Sequence, residues 1–278
     1  MTTTVSCEST YATLGLPDSP AIVDVRTETD YLALPRLVPG ALRGSPDELA
    51  RWSRNLPGTR AVTVYCADGG AASLTIATSL ASMGYPVSIL DGGLAAWRRA
   101  GYFTVRARPE YKSPGASQWV TRERPKIDRL ACPWLVRRFI DPDAQFFYTQ
   151  PHRVRSQATA LDAQPYDIAD VTFSHNGPKC SFDAFLEQFD LHDPVLDRIA
   201  DIVRAADTGE LARSPQAPGL LAISLGLSAN IADDTLLLEQ AMPVYDALYA
   251  WCKVASHETH SWPMKPPERA EPRGLVTP

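Results

Sequence analysis

The stretch AVTVYCADGGAAS, residues 61–73, predicts the fold of the first half of the chain because its pattern changes at a cysteine. Before Cys66, β-branched and aromatic residues follow one another as in a buried strand. After it, glycines turn the chain, and apolar residues then recur at helical spacing from Ser73 to Met83. The pattern therefore predicts a buried strand, a glycine turn and a helix, in that order.

This arrangement makes Cys66 a candidate catalytic residue. A loop that enters a helix gathers unpaired N–H donors and the positive end of the helix dipole. Cysteines in such places have lowered pKa values, and the thiolate is the reactive form. An inert, packed cysteine is the alternative interpretation. The residues expected to stabilise a thiolate are those of the loop and the helix start: Asp68, Gly69, Gly70 and Ser73.

Sequence on either side of this stretch resembles the rhodanese-like domain over about residues 10–105. The segments that carry the resemblance are AIVDVRTETDYLALPRLVPGALRGSP (21–46) and DGGLAAWRRAGY (91–102). The resemblance implies an α/β fold with a parallel sheet flanked by helices, and a possible persulfide on Cys66. It also marks Asp24 and Arg26 as secondary site candidates. Ala71 and Ala72 stand where active sulfurtransferases usually place an arginine, so the guanidinium that would grip an anionic sulfur donor is missing.

Composition bounds the class of protein. The chain has 278 residues, of which 45% are hydrophobic and 21% charged, as in a globular protein with room for two domains. Its five cysteines are scattered and odd in number, which argues against a disulfide framework and favours a reducing cytoplasm. No apolar run approaches the roughly 20 residues that a membrane span needs. The N-terminus has no secretory signal pattern.

The charge pattern argues against direct nucleic-acid binding. The formal net charge is −5, and neither half of the chain carries a strongly basic field. Prolines and polar residues punctuate the segment between the halves, which predicts a linker. The predicted organisation is a first domain at 1–108, a linker at 109–126, a second, mainly helical α+β domain at 127–263 and a flexible tail at 264–278.

The second half opens with IDRLACPWLVRRFID, residues 127–141. Proline is favoured in the first turn of a helix, so we predict a helix that begins at Pro133 with Cys132 at its N-cap. A strand is predicted within 165–173, and the apolar segment LLAISLGLS (220–228) is predicted to form a central helix.

Two stretches hold residue types that bind metals. In FSHNGPKCSFDAFLEQF (173–189), His175 and Cys180 flank a turn, and Ser181 is the predicted N-cap of the helix that follows. In HETHSWP (257–263), Glu258 and His260 would point to the same side of an extended chain. We predict a metal site made of His175, Glu258, His260 and Cys180, whereas solvated surface histidines are the alternative interpretation. The secondary candidates of this half are Asp128, Cys132, Asp183 and Asp207.

Residues 121–263 resemble the chromate-resistance domain, the C-terminal part of chromate resistance protein B. The matching segments include TRERPKIDRLACPWLVRRFIDPDAQF, DVTFSHNGPKCSFDAF and PQAPGLLAISLGLS. The resemblance implies a role in chromate resistance, and some full-length members are described as chromate-responsive regulators. Those regulators carry a different N-terminal domain from the rhodanese-like unit found here.

Three functions follow from these observations, and the sequence leaves the choice open. The first is a cytoplasmic protein of chromate or metal stress, with a reactive thiolate at Cys66 and a divalent metal (Zn, Fe or Mn) in the second domain. The second is a chromate-responsive regulator that acts through a partner without catalysis. The third is a thiosulfate-type sulfurtransferase with an accessory domain. Chromate or another oxyanion is the expected small-molecule partner, and neither nucleic acid nor membrane is expected; the sequence does not determine the oligomeric state.

Overall fold

A computed structural model of the chain describes residues 3–56, 60–107 and 116–258. The predicted tail at 264–278, residues 109–115 of the predicted linker, and His260 lie outside the described residues. Among the helices of the described ranges, none combines the length and apolar character needed to cross a bilayer.

The first domain is built on a parallel sheet. Its elements, in chain order, are β1 (Thr3–Val5), α1 (Cys7–Thr13), β2 (Ala21–Asp24), α2 (Glu28–Ala33), β3 (Arg36–Leu37), β4 (Ala41–Arg43), α3 (Leu49–Trp52), β5 (Val62–Tyr65), α4 (Ala71–Ser82), β6 (Val87–Leu90), α5 (Gly93–Arg99) and β7 (Val105–Arg106). The main sheet has the order β1-β6-β5-β2-β4, and every pair in it is parallel. β3 and β7 form a separate antiparallel pair. The strand, turn and helix predicted around Cys66 are confirmed as β5, the loop and α4.

The second domain combines a small parallel sheet with a bundle of helices. Its elements are β8 (Gln118–Arg122), α6 (Asp128–Leu135), β9 (Gln145–Thr149), α7 (Val154–Leu161), β10 (Gln164–Pro165), α8 (Ser181–Phe189), α9 (Pro194–Asp207), α10 (Ala217–Asn230) and α11 (Asp234–Ala250). The sheet order is β10-β8-β9. A π-helical turn at Val136–Ile140 extends α6, and another at Trp251–Ala255 extends α11.

The structure corrects the predicted linker. Residues 118–122 form β8, the central strand of the second sheet, with Trp119, Val120 and Thr121 fully buried. The prolines that suggested a linker all lie outside this strand. They therefore flank a buried strand and do not mark a continuous linker. The predicted strand at 165–173 is also wrong for most of its length, because only Gln164–Pro165 is strand. Asp167 and Asp170 adopt positive φ angles of 52° and 54°, which turn the chain after β10.

Helix α6 begins five residues before the predicted start. Pro133 lies inside it, and Cys132 is a fully buried helical residue instead of an N-cap. The helix start is fixed by distant partners: the Ser224 hydroxyl accepts from Ile127 N–H at 3.0 Å, and the Tyr245 hydroxyl donates to the Ile127 carbonyl at 2.6 Å. Tertiary contacts therefore outweigh the preference of proline for a first turn.

Helix α10 lies at the surface, so the prediction of a central helix is wrong. Ile223 is 49% exposed and Leu225 45% exposed, whereas Leu220 and Ser224 face the core. An apolar segment is therefore not always an interior one, since a large part of every protein surface is apolar.

Candidate metal centre

Four polar side chains converge where three parts of the second domain meet. Asp128 is the first residue of α6, and Asp207 is the last residue of α9. Asp167 and His175 lie in the chain between β10 and α8. Asp128 and Asp167 are buried, whereas the His175 side chain is 40% exposed and forms the open side of the cluster.

His175 approaches three carboxylate oxygens at once. Its Nε2 atom lies 3.1 Å from Asp128 Oδ2, 3.3 Å from Asp207 Oδ2 and 3.3 Å from Asp167 Oδ1. A ring nitrogen carries at most one proton and can serve only one of these oxygens well. Ligands about 2.1 Å from one ion would lie about 3.0–3.4 Å apart at octahedral or tetrahedral angles. The three N···O distances fall in or near this range, so they fit neighbouring ligands of one ion as well as a protonated His175 paired with the carboxylates.

The residues present fit a divalent cation. Asp128, His175 and Asp207 each offer a ligand atom, and these atoms lie within 4.8 Å of one another. Burial raises the pKa of Asp207 to about 7, and the charge of Asp128 adds to this rise. The hydrogen bond with Asp128 raises the pKa of His175 to about 9. A cation among these groups would offset the repulsion between the carboxylates that raises the pKa of Asp207.

Asp167 is held beside this cluster by its own partners. Its Oδ2 atom forms ion pairs with Arg122 Nη2 at 2.6 Å and with Arg129 Nε at 3.1 Å. The Ser181 hydroxyl donates a hydrogen bond to its Oδ1 atom at 3.0 Å. Burial nonetheless raises the pKa of Asp167. With one oxygen fixed by two arginines, Asp167 presents the other to His175 in a single orientation.

The structure separates the residues that the sequence grouped as ligands. His175 is in the cluster, but Cys180 is not one of its ligand atoms. Cys180 is the N-cap of α8, where Ser181 was expected, and burial and the charge of Asp128 raise the pKa of its thiol. Glu258 is exposed at the end of the described chain, and His260 lies outside it. The proposed pairing of His175 with His260 stays a prediction.

Two secondary candidates of this domain have structural positions. Asp183 accepts from Cys180 N–H at 2.9 Å in a capping box and forms an ion pair with Arg204. Cys132 is fully buried, and burial raises the pKa of its thiol well above the usual range. That shift is opposite in direction to the one expected at a helix N-terminus.

Sequence reasoning missed Asp167. The signal that could have found it is the pair of aspartates at 167 and 170. Aspartate tolerates positive φ and favours turns, so the pair indicates a turn in this segment. The sequence pattern predicts a strand for this segment. A strand would carry Asp167 away from His175, whereas the observed turn brings the two side chains together.

Around Cys66, the structure places two of the four predicted residues, Asp68 and Ser73, close to the sulfur. Cys66 is buried at the end of β5, and its Sγ atom lies 3.4 Å from both Asp68 Oδ1 and Ser73 Oγ. Asp68 also accepts from Gly70 N–H at 2.9 Å, which holds its carboxylate near the sulfur and lowers its pKa. A thiolate at Cys66 would therefore face a carboxylate, where an anion-binding site would need a guanidinium.

The other two candidates of the first domain form a buried ion pair. Arg26 Nη2 lies 2.6 Å from Asp24 Oδ2, and the two side chains are 1% and 0% exposed. Arg26 also donates to the carbonyls of Leu34 and Arg36. Every one of these contacts ties β2 to the segment that follows it, so the pair serves the fold.

Comparison with known families agrees with this division into two domains. Residues 9–100 match the family model of the rhodanese-like domain, and residues 119–252 match that of the C-terminal domain of ChrB. The chain thus carries a rhodanese-like domain followed by a domain of the ChrB C-terminal type, and both sequence resemblances are confirmed.

Individual relatives cover parts of the chain. Protein ChrB of Cupriavidus metallidurans is 35% identical over 133 residues, which are 48% of this chain and 40% of ChrB. Among solved structures, a thiosulfate sulfurtransferase from Pseudomonas aeruginosa is 24% identical with a TM-score of 0.35, covering 38% of this chain and 20% of that one. A rhodanese-related protein from Thermoplasma volcanium is 19% identical with a TM-score of 0.33, covering 37% of this chain and 97% of that one.

Proposed function

We propose that the chain is a chromate- or metal-stress protein whose second domain binds one divalent cation through Asp128, His175 and Asp207. The observation that carries this proposal is the approach of three carboxylate oxygens to one imidazole nitrogen at 3.1–3.3 Å. Asp167 orients the site from the side. The connection with chromate rests on the match of residues 119–252 to the ChrB C-terminal domain, and this chain spans less than half of the ChrB protein.

The donor set narrows the choice of cation. Carboxylate oxygens and one imidazole nitrogen suit Mn²⁺, Fe²⁺ or Zn²⁺, whereas a thiolate-rich site would favour softer ions. The exposed edge of His175 leaves one side of the site accessible to a small molecule. When bound, the ion would supply Lewis acidity there, while the buried carboxylates and the two arginines on Asp167 would fix its position.

The first domain would present Cys66 as a thiol for redox or sulfur-carrying chemistry, with a persulfide as the sulfur-loaded form. All five cysteines are free in the structure, which fits the proposed cytoplasmic location. Turnover of an anionic sulfur donor is less favoured than thiol chemistry, because Asp68 lies beside the sulfur and no arginine stands at Ala71 or Ala72. A regulator that binds metal and acts through a partner is the second candidate, supported by the same cation site.

Elemental analysis of the full chain tests the proposal. After loading with Mn²⁺, Fe²⁺ or Zn²⁺ and removal of free metal, we expect about one ion per chain for one of the three. His175→Ala and Asp128→Asn should lose it. His192→Ala is the matched control, because His192 is exposed and pairs with Asp190 on another surface. Substoichiometric metal in the wild type, or equal retention by His175→Ala and His192→Ala, would contradict the cation site.

A further inference from the structure

A cavity lies where the two domains meet. Its volume is about 250 Å³, and its walls come from both domains: the segment after α1, the start of β2 and Arg60 on one side, and Arg137, Arg138 and α11 on the other. This volume is below the range of about 300–1,000 Å³ that is usual for sites of drug-sized ligands. The cavity is therefore suited to a small ligand that touches both domains at once.

Three arginines line this cavity. Arg137 Nη1 is paired with Glu239 at 2.7 Å, and Arg138 binds Asp246 through Nε and Nη2, both at 2.8 Å. Within the part of the chain that the structure describes, the acceptors of Arg60 are two main-chain carbonyls, those of Ser19 and Pro17. Within the described ranges, no carboxylate lies in ion-pair distance of Arg60. Its positive charge is thus the least compensated in the cavity.

Each of the three guanidinium groups also keeps a terminal nitrogen for a ligand. Among the described residues, no acceptor binds Nη1 of Arg60, Nη1 of Arg138 or Nη2 of Arg137. Burial and then the charge of Arg138 lower the pKa of Arg60, whereas the charge of Asp18 raises it by less. Asp143 and Glu239 also line the cavity, but Glu239 is already held by Arg137.

We propose that this interdomain cavity binds a small tetrahedral oxyanion between Arg60 and Arg138. The guanidinium fork matches the oxygens of such an ion, and charge-assisted hydrogen bonds of this kind are the strong ones. The site is separate from the metal centre, and the inference does not depend on the proposed cation. An anion held by one arginine from each domain would also stabilise their contact.

Calorimetric titration of the full chain with inorganic phosphate, sulfate and chromate tests the site. The protein is first freed of metal with a chelator, and sodium chloride at equal ionic strength is the reference. We expect saturable binding of at least one oxyanion, weakened about tenfold or more in Arg60→Gln through loss of a charge-assisted contact. Arg51→Gln is the matched control because it removes an exposed arginine of the same domain. It should bind within about twofold of the wild type.

A second variant decides the question if Arg60→Gln folds poorly. Asn55 lines the cavity, and Asn55→Asp adds a negative charge there without a change of shape. It should weaken oxyanion binding several-fold, whereas His175→Ala should leave it unchanged. Equal binding by Asn55→Asp and wild type, or no difference between oxyanion and chloride, would overturn the proposal. Loss of binding in His175→Ala would assign the anion to the metal centre instead.

Discussion

At His175, three acidic side chains compete for one ring nitrogen, and this competition sets the expected pH dependence of metal binding. In the metal-free protein, His175 holds its proton up to a pKa of about 9, and Asp207 up to about 7. A metal requires the neutral imidazole and the ionised carboxylate, so each proton must leave when the ion binds. Binding therefore becomes weaker, not stronger, as the pH falls.

We expect the apparent affinity for Mn²⁺ to rise about 100-fold or more from pH 6 to pH 8, since at least one proton is displaced across this range. Calorimetric titration in two buffers of different ionisation enthalpy measures both the affinity and the proton release. His192→Ala should follow the wild-type profile. An affinity that is flat between pH 6 and pH 8 would show that these groups are not the ligands.

At Cys66, the neighbouring carboxylate should select among reagents by their charge. Asp68 Oδ1 is 3.4 Å from the sulfur, so it repels anions that approach the thiol. Asp68→Asn should speed alkylation of Cys66 by iodoacetate several-fold more than alkylation by neutral iodoacetamide. Peptide mass spectrometry separates Cys66 from the other four cysteines. Equal acceleration with both reagents would mean that Asp68 acts on the Cys66 thiol itself and does not select reagents by their charge.

At the scale of elements, Asp183 joins two helices that position the candidate metal centre. It caps α8 through Cys180 N–H and binds Arg204 of α9, the helix that ends at Asp207. Asp183→Ala would leave a largely buried arginine and a buried N–H without this partner. We expect a loss of about 3 kcal/mol in the free energy of unfolding by urea.

The same arginine supplies the control for this prediction. Asp201 pairs with Arg204 Nη1 at 2.8 Å, but its side chain is 68% exposed. Asp201→Ala should therefore cost less than about 1 kcal/mol, as exposed pairs contribute little. If both variants lost the same stability, burial of the Asp183 pair would not be the cause.

Local sequence patterns predicted those elements whose signals are local. The strand and helix around Cys66 follow from an apolar run, two glycines and helical spacing, and the structure has them. The start of α6 does not follow from a local pattern, because Ile127 is held by Ser224 and Tyr245, about a hundred residues away. For the same reason the sequence predicts His175 as a metal ligand but ranks Asp128 and Asp207, which lie beside it in the structure, only as secondary candidates. No spacing in the sequence brings residues 128, 167 and 207 together; only packing does.

For the whole molecule, the boundary between the domains is part of the core. One cluster of buried apolar residues includes Leu14 and Trp97 of the first domain and Trp134 and Phe139 of the second. Polar contacts cross the same boundary, among them Tyr11 Oη to Asp193 at 2.6 Å and Gly40 N–H to the Phe139 carbonyl at 2.7 Å. Because they share a core, the two domains should unfold together.

Gly15 tests this coupling, since it packs against Phe139 and Tyr249 of the second domain. Its φ angle is +77°, and a Cβ atom there would lie 2.5 Å from Phe139 Cζ and 2.8 Å from Tyr249 Cε1. Gly15→Ala should therefore combine the conformational cost of positive φ with overpacking, about 2–5 kcal/mol in all. Gly84→Ala is the control: its φ is +93° and no atom lies within 4 Å, so only the conformational cost of about 1–2 kcal/mol applies.

Thermal unfolding followed by calorimetry separates the possible outcomes. The wild type and Gly84→Ala should each show one transition, because neither disturbs the shared core. Gly15→Ala should unfold at a lower temperature and, if the interface opens before either domain melts, in two steps. Two separate transitions in the wild type, or equal destabilisation by the two alanines, would mean that the interdomain core contributes little to stability.

The same measurement applies to the cavity beside Gly15 and Gly40. An oxyanion bound there should raise the transition temperature of the wild type, because it would stabilise the same interface.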